Sequence, residues 1–134
     1  MKKVEHIGIA VKNLASANDL FTRLFDQPYY KQEELVSEGV STSFFKIGET
    51  KIELLEATDV NSPIAKFIEK RGEGIHHIAF EVEDIEAETQ RLQAEGFQLI
   101  NQSPKDGVDN KKICFLHPKT TNGVLIELCQ EKAK

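Results

Sequence analysis

Two histidines and two glutamates sit inside apolar runs that alternate as strands do. His6 opens His6-Ile7-Gly8-Ile9-Ala10-Val11, Glu53 lies in Lys51-Ile52-Glu53-Leu54-Leu55, His77 opens His77-Ile78-Ala79-Phe80, and Glu127 lies in Leu125-Ile126-Glu127-Leu128-Cys129. A carboxylate buried among aliphatic side chains demands a compensating cation. Lys51 is the only base in either glutamate-bearing run, so salt bridges account poorly for the pair. Two neutral imidazoles and two carboxylates around one divalent ion sum to zero charge, and this donor set suits Zn, Co, Ni, Mn or Fe better than Ca. A lone histidine on a strand is usually a hydrogen-bonded core or cleft residue; the pairing with two glutamates is what points to a metal.

These four residues recur at equivalent places in an internal repeat. His6 to Leu14 resembles His77 to Ile85 in its alternation and its closing aliphatic residue, and each run leads into helical spacing. Ala17, Leu20, Phe21, Leu24 and Phe25 mark the first helix; Ile85, Thr89, Leu92 and Gly96 mark a weaker second one. Further extended segments are expected over 29–36 and 41–47 in the first half and over 97–101 and 112–116 in the second. Gly39, Gly48 and the stretch 106–110 supply turns. Each half then reads βαβββ. Between the halves, Ser62 can cap a short helix that starts at Pro63 and ends at Gly72 and Gly74.

Alternation sorts the faces. Ile7, Ile9 and Val11 point one way and His6, Gly8 and Ala10 the other; by the same rule His77, Glu53 and Glu127 avoid the helix-covered face. The predicted fold is α+β: two tandem βαβββ modules in a curved, barrel-like mixed sheet with helices outside. The chain is expected to form a single domain over 1–134, with module 1 at about 1–57, a linker helix at about 62–71 and module 2 at about 75–131. Alternation sends His76 to the opposite face from His77, which makes it the weaker ligand.

Composition narrows the function classes. A net charge of -5 and a pI near 5.4 argue against broad nucleic-acid binding. No apolar run is long enough for a membrane helix, and residues 1–11 lack a signal-peptide pattern, so a cytoplasmic location is expected. Cys114 and Cys129 have no metal-type spacing and read as buried free thiols. A phosphate-bearing ligand would need a local basic patch. Lys105, Lys111, Lys112 and Lys119 outnumber Asp106 and Asp109 between Ser103 and Thr121, and could provide one or simply decorate a solvated loop. His117, just before Pro118, could touch a ligand there or face solvent.

The repeated unit with this order of ligands resembles the vicinal oxygen chelate superfamily of glyoxalase I, extradiol dioxygenases and antibiotic-resistance proteins, over nearly the whole chain. Within it, the wording is most similar to the methylmalonyl-CoA epimerase family. The runs that carry the likeness are His6 to Val11, Ile52-Glu53-Leu54-Leu55-Glu56, Ser62 to Phe67, Gly74-Ile75-His76-His77-Ile78-Ala79, Phe115-Leu116-His117-Pro118-Lys119 and Gly123 to Leu128.

The resemblance implies one divalent ion (Co, Zn, Mn or Ni) held by His6, Glu53, His77 and Glu127. It implies interconversion of (2R)- and (2S)-methylmalonyl-CoA through a metal-stabilised enolate, an acyl-CoA partner, a role in propionate metabolism and a possible homodimer. Glu127 is then ligand and catalytic residue. Some members draw the opposite-face acid from a middle strand of the first half; here Gly39 to Phe44 contains no carboxylate, which leaves Glu53, a bound water or another group. Lys105, Lys111, Lys112, His117 and Lys119 are the candidate substrate contacts. The rival on the same ligands is a glyoxalase I-like lyase, and the rival of another class is a non-catalytic binding or resistance protein.

Overall fold

The computed structural model describes residues 1–133. Among them the elements run β1 (Lys3–Ala10), α1 (Leu14–Phe25), β2 (Lys31–Leu35), β3 (Val40–Ile47), β4 (Thr50–Ala57), α2 (Pro63–Arg71), β5 (Gly74–Glu81), α3 (Ile85–Ala94), β6 (Lys105–Asp106), β7 (Lys111–Leu116) and β8 (Ile126–Glu131). This is the α+β pattern expected from the repeat. The chain divides into two compact units, Ile7–His76 and Met1–His6 with His77–Lys134. That division differs from the sequence halves. The first six residues side with the second half: the Lys2 amide donates to the Glu81 carbonyl at 2.8 Å, and His6 meets His77.

Connectivity repeats in both units. In the unit Ile7–His76 the strand order is β2-β3-β4-β1, with β2-β3 and β3-β4 antiparallel. In the other unit the order β5-β8-β7-β6 follows the same rule, with β5 and β8 parallel and β8-β7 and β7-β6 antiparallel. Asp109 and Asn110, at φ of 61° and 56°, form the tight turn between β6 and β7 that such left-handed pairs favour. Gly39 needs its left-handed backbone (φ 63°), and a Cβ there would lie 3.0 Å from the Cβ atoms of Asp59 and Ser62.

Helix termini show how the repeat is built. Asn13 caps α1 by accepting from Ser16 N, and Asp84 caps α3 by accepting from Ala87 N. The amide that follows each cap is taken by the last strand of its module: Glu56 Oε1 accepts from Leu14 N at 2.9 Å, and Gln130 Oε1 accepts from Ile85 N at 2.8 Å. Ser62 and Pro63 start α2 as their sequence predicts.

Each helix buries one face of its strands. Leu14, Ala17, Phe21 and Phe25 of α1 pack with Phe45, Ile52 and Leu54; Ile64 and Phe67 of α2 pack with Val40, Leu55 and Ala57. In the other unit Ile85 and Leu92 of α3 meet Cys114, Leu116 and Leu128. Side chains of this size contribute roughly 1.5–3 kcal/mol each when fully buried. The strand expected over 97–101 is not formed. Leu99 makes one isolated bridge to Leu116, and the short β6 at Lys105–Asp106 pairs with β7 instead. Strand pairing overrides the local pattern of a short apolar run.

Candidate metal centre

His6 near the middle of β1, His77 in β5 and Glu127 in β8 all belong to the same compact unit. Parallel pairing of β5 with β8 sets Ala79 beside Glu127, and His77 precedes Ala79 by two residues, so it shares that face. Ala79 is fully buried and small, and leaves its neighbours room. The opposite faces of these strands carry Leu128 toward α3, as the alternation predicts.

Three donor atoms converge. His6 Nε2 lies 3.0 Å from His77 Nε2 and 3.5 Å from Glu127 Oε1, and His77 Nε2 lies 3.1 Å from the same carboxylate oxygen. All three side chains are buried. Two imidazole nitrogens and a carboxylate oxygen facing one another require a proton or a cation among them, because their lone pairs repel. Donors bound at about 2.0–2.2 Å to one ion sit roughly 3.0–3.5 Å from each other, and the observed spacings fall in that range. The residues present therefore fit a divalent cation, and the set of His6, His77 and Glu127 is one of two groups among the described residues able to hold one.

Electrostatics favour an ionised Glu127. Burial pushes its carboxyl up, but the adjacent His6 and then His77 rings more than offset this and hold it well below the usual carboxylate range. Phe115 lies opposite Glu127 on β7, and its ring meets His77 edge-on at 5.7 Å, forming an apolar wall beside the cluster.

Comparison with known proteins identifies the family. The model of the glyoxalase/bleomycin resistance protein/dioxygenase superfamily matches residues 5–115. The chain belongs to this superfamily. It is 42% identical over 127 residues to the mitochondrial methylmalonyl-CoA epimerase of Dictyostelium discoideum, covering 94% of this chain and 76% of that one. It is 39% identical over 130 residues to the ethylmalonyl-CoA/methylmalonyl-CoA epimerase of Cereibacter sphaeroides, covering 96% and 97%. The structure is similar, with a TM-score of 0.94 and 32% identity, to a Streptomyces coelicolor methylmalonyl-CoA epimerase variant in complex with 2-nitronate-propionyl-CoA, covering 99% of this chain and 96% of that one.

The other residues singled out from the sequence have these surroundings. Glu53 is buried on β4 in the unit Ile7–His76, opposite Phe44 of β3 and on the strand face away from Ile52 and Leu54. His76 meets Phe67 of α2 edge-on at 5.0 Å. His117 caps a turn, its Nδ1 accepting from Lys119 N at 3.1 Å. Lys112 Nζ lies 3.1 Å from Glu86 Oε1, Lys119 is exposed, and Lys105 lies in β6 opposite Ile113. Lys111 is buried, with its Nζ 4.0 Å from Glu5 Oε2.

Sequence reasoning missed two contributors. Phe115 carries no signal beyond apolar alternation. Glu5 does carry one: an acid inside the run Val4 to Val11 that includes no base, the same argument that singled out Glu53. Cys114 and Cys129 are buried free thiols as expected.

Proposed function

We propose that this chain is a methylmalonyl-CoA epimerase that uses His6, His77 and Glu127 to hold a divalent cation. The observation that supports this reading is the convergence of those three donors in a chain related over nearly its full length to epimerases of that substrate. Glu53 is assigned as a further carboxylate of the chemistry on its sequence equivalence to Glu127. Co, Zn, Mn and Ni all suit the donors.

The hydrogen on the carbon between thioester and carboxylate is weakly acidic, and its removal places charge on the thioester oxygen. A bound divalent ion supplies Lewis-acid stabilisation of that charge. Glu127 is held in the form that can accept a proton, and the small side chain of Ala79 is its neighbour on β5. Phe115 and the buried strand residues around it limit water at the carboxylate. Inversion needs a second group that returns a proton to the other face of the carbon, and Glu53 is the first residue to test in that role. Lys105, Lys112 and Lys119 are proposed to meet the phosphates of CoA, and His117 positions that turn.

The test is proton NMR in deuterium oxide. The metal-reconstituted protein should replace the methine hydrogen of methylmalonyl-CoA with deuterium and racemise the substrate. A metal-loaded protein that leaves the methine signal intact sinks the epimerase reading.

A further inference from the structure

The hydrogen bonding of His6 extends outward from the donor cluster. Its Nδ1 lies 2.7 Å from Glu5 Oε1, while its Nε2 is the atom facing His77 and Glu127. Glu5 is 2% exposed and His6 is 3% exposed, so water does not compete for this contact. On the far side, Lys111 Nζ stands 4.0 Å from Glu5 Oε2, also buried. Cys129 Sγ is near both Glu5 and His6, but it points its weak donor at the Phe80 carbonyl, 3.6 Å away. The carboxylate is therefore the partner of Nδ1.

We propose that Glu5 is a positioning residue: it accepts the Nδ1 hydrogen of His6, and so keeps the lone pair on Nε2 aimed at the metal position while fixing the plane of the ring. This inference rests on the proposed metal-binding role of His6. A neutral imidazole carries one N–H, and the nitrogen that bears it is decided by the partner of the other. A carboxylate partner also makes the free nitrogen a better donor, and losing such a partner typically weakens metal binding by about 10- to 100-fold. Lys111 supplies the buried countercharge that lets a second carboxylate sit next to the donor cluster without leaving an uncompensated charge. In the second half of the repeat the position equivalent to Glu5 is His76, so His77 does not follow a carboxylate as His6 does.

The test compares wild type with Glu5→Ala and Glu5→Gln. Nitrogen-15 NMR of the histidine rings reports the tautomer directly, in metal-free and zinc-loaded protein, and calorimetric titration with Co and Zn reports affinity. Wild type should show His6 protonated at Nδ1. Glu5→Ala should show a tautomer mixture and Kd raised about 10- to 100-fold. Glu5→Gln, whose amide oxygen can still accept the hydrogen, should keep the tautomer and recover most of the affinity. Should Glu5→Ala fail to fold, the Glu5→Gln spectra and the wild-type tautomer decide alone. Wild-type His6 protonated at Nε2, or an unchanged tautomer and Kd in Glu5→Ala, overturns the proposal. The tautomer measurement needs no substrate, so a protein without epimerase activity still tests Glu5, while intact activity with the wrong tautomer refutes Glu5 and leaves the epimerase reading standing.

Discussion

The Nε2 atoms of His6 and His77 face each other at 3.0 Å, from positions 71 residues apart in sequence. Two such atoms hold this spacing stably when a shared cation or proton joins them, so each histidine needs the other and the Glu127 oxygen for its orientation. His77→Ala should weaken Co binding by more than the roughly 100-fold typical of losing an outer partner, since a direct donor is removed. His76→Ala, which alters the contact with Phe67 instead, should leave Co affinity within about threefold. Calorimetric titration checks both; equal losses in the two variants would contradict the assignment of His77 over His76.

Glu127 gives the pH dependence. Its native carboxyl titrates below the ordinary value of 4.5, so between that value and the native one the unfolded chain binds a proton that the folded chain does not. The stabilisation is complete above about pH 4.5 and is lost as the pH falls through the native value. Urea unfolding in the presence of a chelator should therefore show the stability of wild type relative to Glu127→Gln shrinking steadily below pH 4.5. A difference that grows on acidification would contradict an ionised Glu127. The same variant should lose methine exchange by about 10²- to 10⁴-fold, the range for removing a positioned acid–base group.

Much of this centre is legible in the amino-acid sequence. Alternation places His77 and Glu127 on strand faces turned from α3, and the repeat matches His6 to His77, two of the three donors that converge. Glu5 is not legible as a partner, because neighbouring strand residues nominally point to opposite faces; its side chain is long enough to return to the adjacent imidazole. Lys111 looks like one lysine among four in a basic loop, and the pairing of β7 with β8 instead turns it inward. The missing strand over 97–101 has a related cause: pairing is a property of partners, and this segment gains one bridge at Leu99.

Both thiols should be inert in the native protein. Cys114 and Cys129 are fully buried, and burial pushes the Cys114 thiol up, which lowers the reactive thiolate fraction. A colourimetric thiol reagent at pH 8 should find almost no reactive sulfur in the folded chain and two equivalents in denaturant. Prompt labelling of one equivalent before unfolding would mean that the β7–β8 pair opens locally far more often than its burial implies.

Glu56 and Gln130 occupy matching places, three residues beyond Glu53 and Glu127, and each accepts the first free amide of a helix. The geometry is alike and the charge is not. A helix N-terminus bears partial positive charge, so the carboxylate of Glu56 stabilises α1 by an interaction that the amide of Gln130 offers α3 much more weakly. Glu56→Gln should destabilise the protein by about 0.3–1 kcal/mol, and Gln130→Glu should stabilise it by a similar amount, both effects shrinking at high salt. Gln130→Ala removes only the hydrogen bond and should cost about 1 kcal/mol regardless of salt, whereas Glu56→Ala removes bond and charge together and should cost more, the excess shrinking at high salt. Urea unfolding of the four variants at two ionic strengths separates the charge from the bond; a Gln130→Glu variant less stable than wild type at low salt would show that repulsion from neighbouring acids, not the helix end, governs that position.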